Sequence, residues 1–151
     1  MKLGWDEYFM RIAYLCGKRS TCLRRQIGAV IVVDNQIVST GYNGACKGLE
    51  ECTDIGCLRD EQKIPSGTRH EICRAVHAEQ NAIIQAAVRG VSIKDGTVYC
   101  TQSPCVLCAK MLINAQIKRC VVSEPYSESA YVGLFKQAGI EVCFVNAAEG
   151  G

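Results

Sequence analysis

The sequence predicts an α/β protein in which one sheet carries helices on both faces. Short apolar runs rich in β-branched residues alternate with helix-length amphipathic stretches, the pattern of strands joined by covering helices. No internal repeat, low-complexity tract or linker divides the chain. A length of 151 residues suits one domain, 1–151, with a substantial core.

The elements follow in order. Trp5, Tyr8, Phe9, Ile12 and Leu15 recur at helical spacing and mark a first helix. IGAVIVV and QIVSTGYN, joined at Asp34-Asn35, read as a hairpin. A Gly-containing irregular segment follows, about 44–70, holding Cys46, Cys52, Cys57 and His70. A loop that long inside a compact domain has a function or an internal tie. RAVHAEQNAIIQAAVRG reads as a helix ended by Gly90, and GTVYCTQ as a strand. SPCVLCAKMLINAQ reads as a helix capped at or near Ser103, with Pro104 in its first turn. KRCVVSE is a strand, YVGLFKQAG a helix closed by Gly139, and IEVCFVN a final strand.

No stretch is apolar and long enough to span a bilayer, and the first twenty residues lack a leader-type apolar core, so a cytoplasmic location is expected. A net charge of +2 gives no argument for nucleic acid, and no nucleic-acid partner is expected. Eleven cysteines in a chain of this length point to ligands, nucleophiles or small core residues rather than a disulfide scaffold. Cys16, Cys100, Cys120 and Cys143 lie on apolar faces and are expected to pack.

The chemistry is concentrated in His77-Ala78-Glu79 and Pro104-Cys105-Val106-Leu107-Cys108. Cys105 and Cys108 are three apart near a helix start, where their sulfurs can face one point and the helix dipole favours thiolate. One imidazole and two thiolates make three zinc ligands, and a catalytic zinc keeps its fourth position for water. Glu79 can reach that position without being a ligand. Zinc lowers the pKa of water to about 7, and a carboxylate can shuttle protons between water, a ring nitrogen and a leaving amine. The pattern H-x-E with P-C-x-x-C is that of zinc deaminases.

HAEQNAII and TQSPCVLCAKMLINAQIKR, with STGYNGACKG and RSTCLRRQIGAV upstream, resemble the deoxycytidylate (dCMP) deaminase family from about Trp5 to Val145. The likeness is strongest to the bacterial late-competence type. The resemblance implies a cytidine deaminase-like fold, a three-layer αβα sandwich around a five-stranded mixed sheet. It implies hydrolysis of dCMP to dUMP and ammonia, with His77, Cys105 and Cys108 on a catalytic Zn2+ and Glu79 as proton shuttle. It places Asn43, Ala78 and Ser103 against the substrate. Arg24 and Tyr126 become candidates for the 5′-phosphate, with Arg25 a weaker one; a guanidinium suits a phosphate fork. Activation by dCTP, inhibition by dTTP, Mg2+ accompanying the triphosphate, and a hexamer are also implied, with Gly41, Tyr42 and Gly44 near the effector.

His70 lies seven residues before His77. In one continuous helix the two would stand roughly 10 Å apart along the axis, too far for one metal. Some members of the resembled family carry a second zinc, and Cys22 and Cys52 match two of its ligand positions. The best closed set is then Cys22, Cys52, His70 and Cys73, with Cys57 as substitute, a structural zinc tying the long loop. The alternative is reduced core cysteines and a surface histidine. Cys46 stands where the family often has proline and adds an exposed thiol.

Three other readings compete. A tRNA adenosine deaminase shares HAE and PCxxC but needs a basic single-strand surface, which the near-neutral charge does not favour. Small free-cytidine deaminases usually have cysteine where His77 stands. A non-catalytic, zinc-stabilised interaction protein has no need for Glu79 beside an open metal position.

Overall fold

The computed structural model describes residues 1–124 and 130–147. Its main sheet has five strands, β1 (Gly28–Val33), β2 (Gln36–Tyr42), β5 (Thr97–Gln102), β6 (Arg119–Glu124) and β7 (Glu141–Phe144), in the order β2-β1-β5-β6-β7. β1 runs antiparallel to both β2 and β5, while β5, β6 and β7 are parallel, so the sheet is mixed as expected. The β1–β2 hairpin turns at Asp34 and Asn35, both with positive φ (52° and 60°), as a tight hairpin turn requires.

Each sheet face has its own core, which makes the three layers. α1 (Trp5–Gly17) packs Phe9, Met10 and Ala13 on Val30, Val32, Tyr99 and Val121. The opposite face buries Ala29, Ile31, Val98, Cys100, Cys120 and Val122 under α4 (Ala78–Arg89), α5 (Val106–Asn114) and α6 (Ala130–Ala138). Cys100 and Cys120 are fully buried there, and Cys16 and Cys143 pack beside the α1 core, so all four are packing residues. α1 is tied to the sheet by Asp6. Its carboxylate accepts a two-bond fork from Arg119 (2.8 and 2.7 Å) and a bond from the Tyr99 hydroxyl (2.7 Å).

Two boundaries differ from the sequence reading. The stretch from Arg74 does not enter the α4 helix at once. Ala75–Val76 form a short strand, β4, paired with Gly44–Ala45, β3, and the helix starts at Ala78 with His77 as its N-cap. α5 is capped by Cys105 rather than Ser103, because the Cys105 sulfur accepts the Cys108 N–H. The irregular segment also carries two short helices, α2 (Cys52–Ile55) and α3 (Leu58–Glu61), and a 3-10 turn at His70–Ile72.

The close fit of α4 against β2 positions the chemistry. Gly41 lies so near α4 that a Cβ there would stand 2.2 Å from the Ala78 carbonyl oxygen and 2.5 Å from the Ala82 nitrogen. Beside it, the Ser39 hydroxyl donates to the Ala82 carbonyl. The helix therefore starts at a fixed height above the sheet, next to the N-terminal end of β1 and the C-terminal end of β5.

Candidate active site

The N-termini of α4 and α5 converge on one point. The His77 Nδ1 faces both sulfurs, 3.2 Å from Cys108 Sγ and 3.5 Å from Cys105 Sγ, and the sulfurs are 3.5 Å apart. Among the described residues this is the one set whose ligand atoms all lie within 4.8 Å of one another. Two soft sulfurs and an imidazole nitrogen are the donor set of a zinc site with a position left over, so the residues fit the metal that the sequence implied. Both helix N-termini add positive potential where thiolates are needed.

The electrostatics agree with that use. The hydrogen bond between the two thiols, aided by His77, holds the Cys105 thiol far below its ordinary range and raises that of Cys108. A cation at this point would take both sulfurs as thiolates. His77 is raised, first by its hydrogen bond with Cys105. Glu79 is 4 % exposed, and burial raises its carboxyl above the usual range, the condition of a group that must hold a proton as well as release one.

One cavity receives most of the sequence-predicted residues. His77, Ala78, Glu79, Ser103 and Cys105 line its floor, and Asn43, Arg24 and Arg25 its side. Asn43 is buried and does structural work as well: its Oδ1 accepts the Ile27 N–H (2.9 Å), and its Nδ2 donates to the Arg25 carbonyl (3.0 Å). Arg24 is braced by Asp60 (2.7 Å) and the Ile64 carbonyl (2.8 Å), leaving Nη1 buried without a hydrogen-bond partner. Ser103 Oγ lies 3.3 Å from the Tyr131 hydroxyl. Tyr126 lies outside the described residues.

Of the residues expected near an effector, Gly41 faces α4 backbone, Gly44 pairs with Val76, and Tyr42 is partly exposed at the end of β2. Cys46 is exposed, as expected.

His70 departs from the sequence reading. The axial-distance argument assumed one helix, but Arg69 takes a left-handed conformation (φ 53°) and the chain runs through a 3-10 turn and β4 before α4. This folds the His70 ring edge-on against His77, with centroids 4.8 Å apart. Its Nδ1 accepts from Arg59 Nη1 at 3.2 Å. The set Cys22, Cys52, His70 and Cys73 is not gathered as a ligand cluster. Burial raises the pKa of Cys52, and the neighbouring thiols of Cys22, Cys57 and Cys73 add to it.

Sequence reasoning missed three residues. Gln80 Oε1 accepts the His77 N–H (2.9 Å) and fixes the start of α4. Asn81 donates to the Tyr42 carbonyl (2.8 Å), linking α4 to the GYNG turn. Arg59 sits buried in the cavity wall. Gln80 could have been found as the third helical residue of a capping box; a lone arginine in LRDEQ gave no signal.

The fold and this site define a zinc-dependent nucleotide-base deaminase architecture, and residues 3–124 match the cytidine and deoxycytidylate deaminase zinc-binding region; the chain belongs to that family. It is 38 % identical over 142 residues to ComE operon protein 2 of Bacillus subtilis, covering 93 % of this chain and 71 % of that protein. It is 34 % identical over 140 residues to the deoxycytidylate deaminase of Schizosaccharomyces pombe, covering 92 % of this chain but only 43 % of the yeast enzyme. The crystal structure of dCMP deaminase from the cyanophage S-TIM5 in complex with dCMP and dUMP superposes with a TM-score of 0.80 at 29 % identity, covering 96 % of this chain and 99 % of that one.

Proposed function

We propose that the protein hydrolyses dCMP to dUMP and ammonia. The observation that carries this reading is the meeting of His77, Cys105 and Cys108 with buried Glu79 on the floor of one cavity. Similarity to the cyanophage enzyme, which binds dCMP and dUMP, supports the choice of nucleotide.

His77, Cys105 and Cys108 would hold the zinc ion, which when bound would supply a water nucleophile at neutral pH. The protein's own part is proton traffic and placement. Glu79 takes the proton of the attacking water, gives it to N3 of cytosine, and then carries a proton to the departing amine, so that water adds at C4 and ammonia leaves. Its raised pKa matches that double duty. Of the residues lining the cavity, Ala78 and Ser103 are assigned to the base, Asn43 to the sugar and Arg24 to the phosphate side; family resemblance adds Tyr126 to the phosphate side.

The reading extends to a second, structural zinc. Four thiols, Cys22, Cys52, Cys57 and Cys73, border the same cavity and come from three separate stretches of chain. Their mutual influence on Cys52 favours Cys57 over His70 as the fourth ligand, since His70 is engaged with Arg59. Four sulfurs suit a closed tetrahedral site, and the ion would draw them together around α2. Family resemblance adds activation by dCTP and inhibition by dTTP, each with Mg2+, in a cytoplasmic hexamer.

The test is ammonia release by zinc-replete protein from dCMP, deoxycytidine, CMP and adenosine-bearing tRNA, each with and without dCTP. Release from dCMP, raised by dCTP, is expected. Release from tRNA alone makes the protein an adenosine deaminase, and release from none returns it to the non-catalytic class.

A further inference from the structure

The core under α6 contains an oxygen that packing does not need. Tyr131 and Phe135 lie one turn apart on α6, both buried in the same cluster, with their rings edge-on at 5.7 Å. A phenylalanine would fill either place. A buried phenol loses its water and has to find a partner inside the protein. Among the described residues the Tyr131 hydroxyl has one, Ser103 Oγ at 3.3 Å. Burial also raises the phenol above its ordinary range, so it keeps its proton at neutral pH.

A protonated phenol with one acceptor in reach donates to it. Ser103 Oγ is then the acceptor in that bond, and the Ser103 proton points away from Tyr131. The main chain around it is held: the Ser103 N–H donates to the Glu124 carbonyl (3.2 Å), and Pro104 follows. What is left to settle is the direction of the hydroxyl proton, and Tyr131 settles it. Ser103 lines the cavity floor beside His77, Glu79 and Cys105, while Tyr131 is not part of the lining. The floor thus carries a hydroxyl donor whose orientation is set from behind, from inside the core.

That donor discriminates among the atoms of a base. Cytosine has a 4-amino group, which donates, and two acceptors, N3 and the 2-oxygen. Facing the 4-amino group would set donor against donor. N3 takes its proton from Glu79 in the reaction proposed above. The 2-oxygen is the acceptor left, and it is the same in dCMP and dUMP. We propose that Tyr131 is a positioning residue that turns the Ser103 hydroxyl towards the 2-oxygen of the pyrimidine, and that this pair makes the site choose 2-oxo bases. The inference rests on the reading above that a pyrimidine nucleotide is the substrate. A contact made equally before and after the reaction tightens binding without lowering the chemical barrier, so its loss falls on KM and leaves kcat.

Calorimetric binding of dUMP and of 2-thio-dUMP to the zinc-loaded full chain tests it, on the wild type, Tyr131→Phe, Ser103→Ala and the double variant. The two ligands differ only at position 2, where sulfur is a weak acceptor. The wild type is expected to prefer dUMP. That preference should shrink about three- to tenfold in each single variant, as for one lost hydrogen bond, and no further in the double variant. In Tyr131→Phe the KM for dCMP should rise by the same factor with kcat held. Tyr131→Phe keeps the ring against Phe135; should it still fail to fold, Ser103→Ala, changed at the cavity surface, decides alone. A wild type without the preference overturns the proposal, and so does a preference that survives either single variant. Effects that multiply in the double variant also overturn it, as does a loss that weakens both ligands alike, the mark of a residue that only supports the fold. A preference that depends on Tyr131 in a chain that releases no ammonia from dCMP sinks the proposed reaction and keeps the pair. Turnover of dCMP with a preference indifferent to Tyr131 does the reverse.

Discussion

A single methyl group at Gly41 reaches the chemistry through the backbone. The added Cβ would stand 2.2 Å from the Ala78 oxygen, 2.5 Å from the Ala82 nitrogen and 3.1 Å from the Ala82 Cα, all backbone atoms that no rotamer change can move. Real Cβ contacts do not fall below 3.0 Å, so helix and strand must part by at least 3.0 − 2.2 = 0.8 Å. Overpacking of this kind costs about 1–3 kcal/mol. At this chain length each kcal/mol lowers Tm by about 2–4 °C. The larger effect falls on turnover. α4 begins beside His77 and carries Glu79 in its first turn, and a misplacement of about 1 Å in a reacting group costs roughly a hundredfold. For Gly41→Ala we therefore expect kcat on dCMP to fall by about two orders of magnitude, with a Tm several degrees lower by calorimetry. Gly133, on the exposed side of α6 with nothing within 4 Å of its would-be Cβ, is the control. There the same substitution should stabilise by about 0.5–1 kcal/mol, through helix propensity, with turnover intact. A Gly41→Ala enzyme with wild-type kcat and Tm, altered only in its response to dCTP, would refute the packing argument and return Gly41 to the effector site.

Further outcomes are expected. Glu79→Gln should lower ammonia release from dCMP by about 10²–10⁴-fold while zinc content and Tm stay near wild type; full activity would remove Glu79 from the mechanism. Cys52→Ser should reduce bound zinc from two ions per chain to one by elemental analysis, and a wild type holding one ion would dispose of the structural site. The Arg119 fork holds the Asp6 carboxyl below its ordinary range. That stabilisation is complete above the unfolded carboxylate value of about 3.9 and fades as pH falls through the lower folded value. The Tm advantage of the wild type over Asp6→Asn should accordingly be constant from pH 7 to 5 and shrink below about pH 4; an advantage that grows with acid would contradict the sign.

The strands, the covering helices and the gathering of His77, Cys105 and Cys108 were legible in the sequence because each depends on local pattern: alternation for strands, helical periodicity for helices, and the spacing of H-x-E and P-C-x-x-C for the cluster. What was not legible is how the irregular segment folds back. The periodic apolar pattern of RAVHAEQ runs smoothly into the helix, so nothing marked Ala75 and Val76 as a strand pairing with Gly44 and Ala45. That pairing, with the left-handed Arg69, is a long-range decision, and it is what carries His70 to His77. Arg59 escaped for the same reason. Its neighbours in sequence are charged and look solvated, and only the tertiary fold buries it.

The metal-binding side chains stand 28 residues apart, on two helices with β5 between them. An ion that grips all three pins α4 to α5, and the unfolded chain cannot offer that grip. Metal supply then enters the folding equilibrium itself: beyond the dissociation constant, each tenfold rise in free zinc deepens the native state by about 1.4 kcal/mol. Scarcity of zinc in its surroundings would then lower the protein's stability as well as silence it.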